Sequence, residues 1–186
     1  MKIRLAAYLQ SDSIVDGEGI RTVIWTQGCP HHCLGCHNPE TWDFNGGELV
    51  DLKDVYEAID ALEGQTGITF SGGDPFWQPK ECAEIAKYAR KKNLNVWSYT
   101  GYTWEELMEL SKKKKEIMDF LKELDVLVDG RFVLSKKSYS CIFRGSTNQR
   151  IIDVKESLKK KKVVLIDKYE HKEMSNNRKR AAGVYI

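Results

Sequence analysis

GITFSGGDPFWQPKECAEIAKYARKKNLNVWSYT, residues 67–100, reads as a strand, a glycine turn, a helix and a second strand. GITFS (67–71) and LNVWSYT (94–100) are short runs rich in β-branched and aromatic residues, the composition of a pleated surface. Between them Cys82, Ile85, Ala86 and Ala89 share one side of a helix over 80–92. The alternation continues outward. Residues 103–124 read as one long helix, opened by Thr103 with Glu106 at capping-box spacing. DVLVDG (125–130) and RIIDV (150–154) read as further strands. Upstream, IRLAAYL (3–9) and TVIWT (22–26) are strand-like, and Asp51 caps a helix whose Leu52, Val55, Ile59 and Leu62 form one buried face. Strands alternating with helices predict a parallel sheet with right-handed crossovers. Five or six such units fall short of the eight of a closed barrel. The expected fold class is therefore α/β, a partial, open β/α barrel with mostly parallel strands.

Composition agrees with a single domain. The chain has 186 residues, 41% hydrophobic and 30% charged, enough to bury a core without disulfide help. No apolar run approaches the roughly eighteen residues of a membrane span. The opening MKIRLAAYLQSDS lacks the apolar core and small-residue cleavage site of a signal peptide. A cytoplasmic protein with no membrane contact is expected. The net charge of +2 hides an asymmetry, because residues 155–186 carry ten Lys or Arg against four Asp or Glu. The division expected is a domain over 1–160 and a basic tail over 161–186, partly disordered. Such a tail is either a solvated segment or a docking site for an acidic partner or nucleic acid, and charge alone does not separate these.

In parallel α/β folds ligands bind at the carboxyl ends of the strands. The segments leaving those ends here are TQGCPHHCLGCHN (26–38), SGGDP (71–75), SYTGY (98–102) and VDGRF (128–132), with RGSTN (144–148) beyond. They also carry the most unusual chemistry in the chain. Of five cysteines, Cys29, Cys33 and Cys36 fall within eight residues, which is not the layout of a disulfide framework. Three thiolates on one loop can bind three irons of a cubane and leave the fourth iron open. Zinc with His31, His32 or His37 as fourth ligand remains a rival on spacing alone.

Cys-x3-Cys-x2-Cys, followed by Gly72-Gly73-Asp74-Pro75 after a strand, resembles the radical S-adenosylmethionine superfamily. SIVDGEGIRTVIWTQGCPHHCLGCHNPETW (13–42) and DVLVDGRFVLSKKSYSCIFRGSTNQRIIDV (125–154) are similar to the anaerobic ribonucleotide reductase activating proteins, one group of glycyl-radical activating enzymes. The likeness runs over about residues 8–154. Gly35, where most of the superfamily has an aromatic residue, and Asp74, where most have Glu, both fit that branch.

The resemblance implies a radical SAM type of barrel, a [4Fe–4S] cluster on Cys29, Cys33 and Cys36, and S-adenosyl-L-methionine on the open iron. It implies that the backbone at Gly72 and Gly73 meets the methionine amine, with Asp74 as acidic support. Gly35 and His37 flank Cys36 and should lie against the cofactor. Ser98 and Asp129, by the same analogy, should reach the ribose or the carboxylate. Arg131 could neutralise that carboxylate, and Asn148 is a weaker contact. The activity implied is generation of a glycyl radical on the large subunit of an anaerobic ribonucleoside-triphosphate reductase, with electrons from a flavodoxin-type donor. Two rivals are activation of another target such as pyruvate formate-lyase, against which RGSTNQR argues, and a zinc-binding adaptor that contacts nucleic acid through the tail. His31 and His32 are read as tuning or exposed residues, Cys82 as a buried hydrophobe.

Overall fold

In the computed structural model, which describes residues 1–170, the stretch 67–100 sits at the middle of one sheet. In chain order the strands are β1 (Lys2–Leu5), β2 (Gln10–Ser13), β3 (Arg21–Thr26), β4 (Glu48–Asp51), β5 (Gly67–Gly72), β6 (Asn95–Tyr99), β7 (Val126–Asp129) and β8 (Arg150–Asp153). The helices are α1 (Leu52–Asp60), α2 (Pro79–Lys91), α3 (Trp104–Ser111), α4 (Lys115–Leu121) and α5 (Val154–Lys160). The sheet order is β4-β1-β3-β5-β6-β7-β8, with β2 laid on β3. Its central strands β3, β5, β6 and β7 run parallel, and the flanking pairs are antiparallel. The edges β4 and β8 do not meet, so the α/β sheet is open, as expected.

Period-two alternation gives the sheet two distinct faces. Ile24, Ile68, Phe70, Val96 and Leu127 join Leu52, Val55, Ile59, Ile85, Ala89, Leu107 and Phe120 of the helices in the main core. The opposite, concave face carries Trp97, Val126, Val128 and Ile151, covered in part by Tyr169. Cys82 is fully buried under α2. Thr103 and Glu106 form the reciprocal capping box that the sequence signalled.

Three features depart from the expectation. The helix expected over 103–124 is two helices, because Lys114 is extended and re-aims the chain within a run of four lysines. β8 runs antiparallel to β7, because residues 130–149 return to the sheet without a crossover helix. The domain does not stop at residue 160. Val163, Leu165 and Ile166 come back to the sheet, with the Asp153 amide donating to the Val164 carbonyl at 2.9 Å and the Ile166 amide to Ile151 at 3.0 Å. The apolar VVLI run directly after four lysines provides the reason. Of the basic tail expected over 161–186, residues 171–186 lie outside the described residues.

Candidate functional site

The loops at the carboxyl ends of β3, β5, β6 and β7 meet as expected. They border a groove of about 640 Å³ that reaches Cys36, His37, Gly72, Gly73, Tyr99, Thr100, Phe132, Phe143 and Gln149. That volume is in the range of sites that hold a ligand the size of a nucleoside conjugate.

Glycine at the β5 turn is dictated by close approach. Gly72 has φ +96°, and a Cβ on it would meet the Thr26 carbonyl oxygen at 2.5 Å. A Cβ on Gly73 would meet the Gly28 carbonyl oxygen at 2.4 Å. The turn is locked onto the cysteine loop by the Gly73 amide donating to Thr26 at 2.7 Å and the Asp74 amide to Gly28 at 2.8 Å. These amides are used inside the protein, so what the turn can offer a ligand is carbonyl oxygen.

The three thiols lie on the loop that follows β3, each half-buried. Burial pushes the Cys29 thiol up to about 11, opposed by the backbone amides of His31 and His32. Burial also raises the Cys33 thiol, opposed by the Phe132 amide and by the nearby Arg131 guanidinium. The Asn38 amide donates to Cys36 Sγ at 3.4 Å. A backbone amide bonded to Cys36 and amides that favour the thiolate at Cys29 and Cys33 suit an iron–sulfur cluster, whose sulfurs accept such bonds. Among the described residues no three His, Cys, Asp or Glu side chains converge as they would on a single ion. A cubane needs no such convergence, because each thiolate binds a different iron.

Several residues singled out in the sequence are placed elsewhere. Ser98 pairs with Phe70 across the sheet and so shares the helix-side face; it is fully buried, and its hydroxyl donates to the Tyr99 carbonyl. Asp129 has the parity of Leu127 and is also buried. Its carboxylate accepts from the Trp104 amide at 2.7 Å and from Arg150 at 2.9 and 2.5 Å. Both point away from the groove, which corrects the expectation that they contact the cofactor. The residues of these strands that do face it are Tyr99 and, one position further, Thr100. Asp74 is fully buried and accepts from Phe76, Thr100, Gly101 and His31, so it braces the turn rather than facing the groove. Gly35 is exposed beside Leu134, and Arg131 is exposed beside Cys33. Asn148 donates to the Arg131 carbonyl at 2.9 Å, while its own Oδ1 is buried without a partner among the described residues.

Sequence reasoning missed Asp16, Tyr99, Phe132 and Gln149 at the groove and gave His31 no fixed place. His32 is exposed and stacks on Trp42, whereas the His31 ring is almost wholly buried.

Residues 15–152 match the family described as a 4Fe-4S single cluster domain, which makes this an iron–sulfur protein on an α/β sheet. Several curated relatives carry the name anaerobic ribonucleoside-triphosphate reductase-activating protein. That of Haemophilus influenzae is 32% identical over 155 residues, covering 77% of this chain and 96% of its own. That of Escherichia coli K12 is 34% identical over 145 residues, covering 73% and 90%. That of enterobacteria phage T4 is 33% identical over 144 residues, covering 74% and 86%. A crystal structure of QueE from Escherichia coli overlaps 55% of this chain and 54% of its own at TM-score 0.44 and 15% identity, too partial a likeness to bear on the reading. The chain belongs to the family of anaerobic ribonucleoside-triphosphate reductase-activating proteins. A zinc-binding adaptor is not favoured by these matches.

Proposed function

We propose that Cys29, Cys33 and Cys36 hold three irons of the [4Fe–4S] cluster, and that S-adenosyl-L-methionine takes the fourth. The protein then generates a glycyl radical on the large subunit of an anaerobic ribonucleoside-triphosphate reductase. The observation that carries this reading is the open groove shared by Cys36 and the Gly72–Gly73 turn. When bound, the reduced cluster would supply the one electron that cleaves the sulfonium of S-adenosyl-L-methionine, the chemistry by which a hydrogen atom would be taken from a glycine of the reductase.

The chain's own residues bind and orient. Carbonyl oxygen at Gly72 and Gly73 suits the methionine ammonium, and the close approach of this turn to Gly28 fixes it beside the cysteine loop. Arg131, exposed next to Cys33, is the guanidinium proposed to neutralise the cofactor's carboxylate. Tyr99, Phe132 and Phe143 give the groove apolar walls that suit an adenosyl group. A flavodoxin-type protein is the proposed electron donor, since cleavage needs a potential near the low end of the iron–sulfur range. No helix among the described residues is long and apolar enough to cross a membrane, and a cytoplasmic enzyme is proposed.

Anaerobic reconstitution tests the reading. About four irons per chain are expected, with a spin-resonance signal from the reduced protein that changes when S-adenosylmethionine is added. A glycyl radical should appear when the reductase is included. Zinc in place of iron, or no radical on the reductase with the cluster intact, would overturn it.

A further inference from the structure

His31 lies between two of the thiols, yet its ring does not point toward the groove. It is inserted into a niche at the end of β6. His31 Nε2 is 2.8 Å from Asp74 Oδ2, and the two side chains are 3% and 0% exposed. Asp74 is itself fixed by three further donors: the Phe76 amide at 2.9 Å, Thr100 Oγ1 at 2.9 Å and the Gly101 amide at 3.0 Å. Tyr102 closes the niche, edge-on to the imidazole with centroids 4.4 Å apart. Gly101 leaves the room the ring needs, since a Cβ there would meet the imidazole at 2.3 Å. A buried ring held on an immobile carboxylate fixes the backbone to which it is attached. That backbone carries the His31 and His32 amides, two and three residues along the loop from Cys29, whose thiolate they favour.

We infer that His31 is a positioning residue: anchored on Asp74, it holds the His31 and His32 amides against the Cys29 sulfur and thereby raises the reduction potential of the cluster. Amide hydrogen bonds to cluster sulfur stabilise the more negative, reduced state, so their loss makes reduction harder. The acidic residue after the double glycine thus acts on the cysteine loop, through the histidine. The inference rests on the proposed ligation by Cys29, Cys33 and Cys36.

The test is a redox titration, followed by spin resonance, of the reconstituted full-length protein and of His31→Gln, Asp74→Asn and the exposed control His32→Gln. Full iron content in the unaltered protein is the precondition, and its failure would count against the ligation rather than the anchor. His31→Gln and Asp74→Asn are expected to bind iron and reduce about tenfold less favourably, about 59 mV more negative for one electron. His32→Gln should not move. Full iron with an unmoved potential in both anchor variants would overturn the inference. If either variant fails to retain iron, amide exchange in the iron-free chain decides. Acceleration confined to residues 29–33 and 74–76 supports the anchor, whereas unchanged or uniformly faster exchange overturns it.

Discussion

Cys29 and Cys82 show how the same side chain is put to two uses by its surroundings. Cys82 is fully buried under α2, and burial raises its thiol well above the ordinary range. Cys29 is half-buried, and burial raises it to about 11. Because the thiolate is the nucleophile, the iron-free protein should alkylate slowly at Cys29 near pH 7. Only about 1 in 10,000 of that thiol is ionised there by its own titration. Below pH 11 the ionised fraction grows about tenfold per pH unit, so labelling should accelerate with pH, while Cys82 stays unlabelled until the fold opens. Peptide mass spectrometry after iodoacetamide pulses checks this. A Cys29 rate that is flat between pH 7 and 9 would contradict it. The three thiols were legible in the sequence because their spacing is local. The orientation of Ser98 was not. In NVWSY the polar residue looks like the functional one, but strand parity turns Ser98 under the helices and gives the groove to Tyr99.

Asp129 has an element-level role rather than a cofactor-level one. It sits at the end of β7, accepts the first amide of α3 and pairs with Arg150 at the start of β8, so one carboxylate ties three elements together. Glu105 of α3 adds a second contact to Arg150, which holds its carboxyl below the usual range. Arg150→Met is expected to destabilise the protein by about 2 kcal/mol. That is less than the 3–5 kcal/mol of a fully buried pair, since the Arg150 side chain is 31% exposed and Asp129 keeps the Trp104 amide. Urea unfolding of the anaerobically handled protein measures it, and a loss under 0.5 kcal/mol, the size of a surface pair, would show that Asp129 needs no cation. What the sequence disclosed at this scale was whatever depends on neighbours a few residues away, such as the Thr103–Glu106 cap and the inward face of α2. The antiparallel return of β8 and the edge strand β4 depend on pairing across 20 or more residues, which local periodicity does not encode.

For the whole molecule, the decisive feature is the segment that follows α5. From Val163 to Glu170 the chain runs back along β8 and covers the concave face beside the groove. Tyr169 is 8% exposed and packs edge-on against Phe143 and Trp97, at 5.4 and 5.9 Å. The same segment reaches both halves of the sequence. Lys168 and Tyr169 donate to the Glu18 carboxylate in the lead-in to β3. Buried Arg144, on the loop that walls the groove, donates to the Tyr169 carbonyl at 2.9 Å and to Glu170 at 3.3 Å. Compared with a chain ending at residue 170, one ending at residue 162 therefore loses a buried aromatic side chain and leaves Arg144 without two acceptors. Removing a buried aromatic alone costs about 3 kcal/mol, which for a domain of this size lowers Tm by about 6–12 °C. Thermal unfolding of the two truncated proteins under anaerobic conditions makes the comparison directly. Equal Tm values would mean that the segment lies on the sheet without supporting it. A lower Tm in the shorter chain, together with weaker retention of S-adenosylmethionine, would show that Phe143 and Arg144 depend on the closing segment to keep the groove in shape.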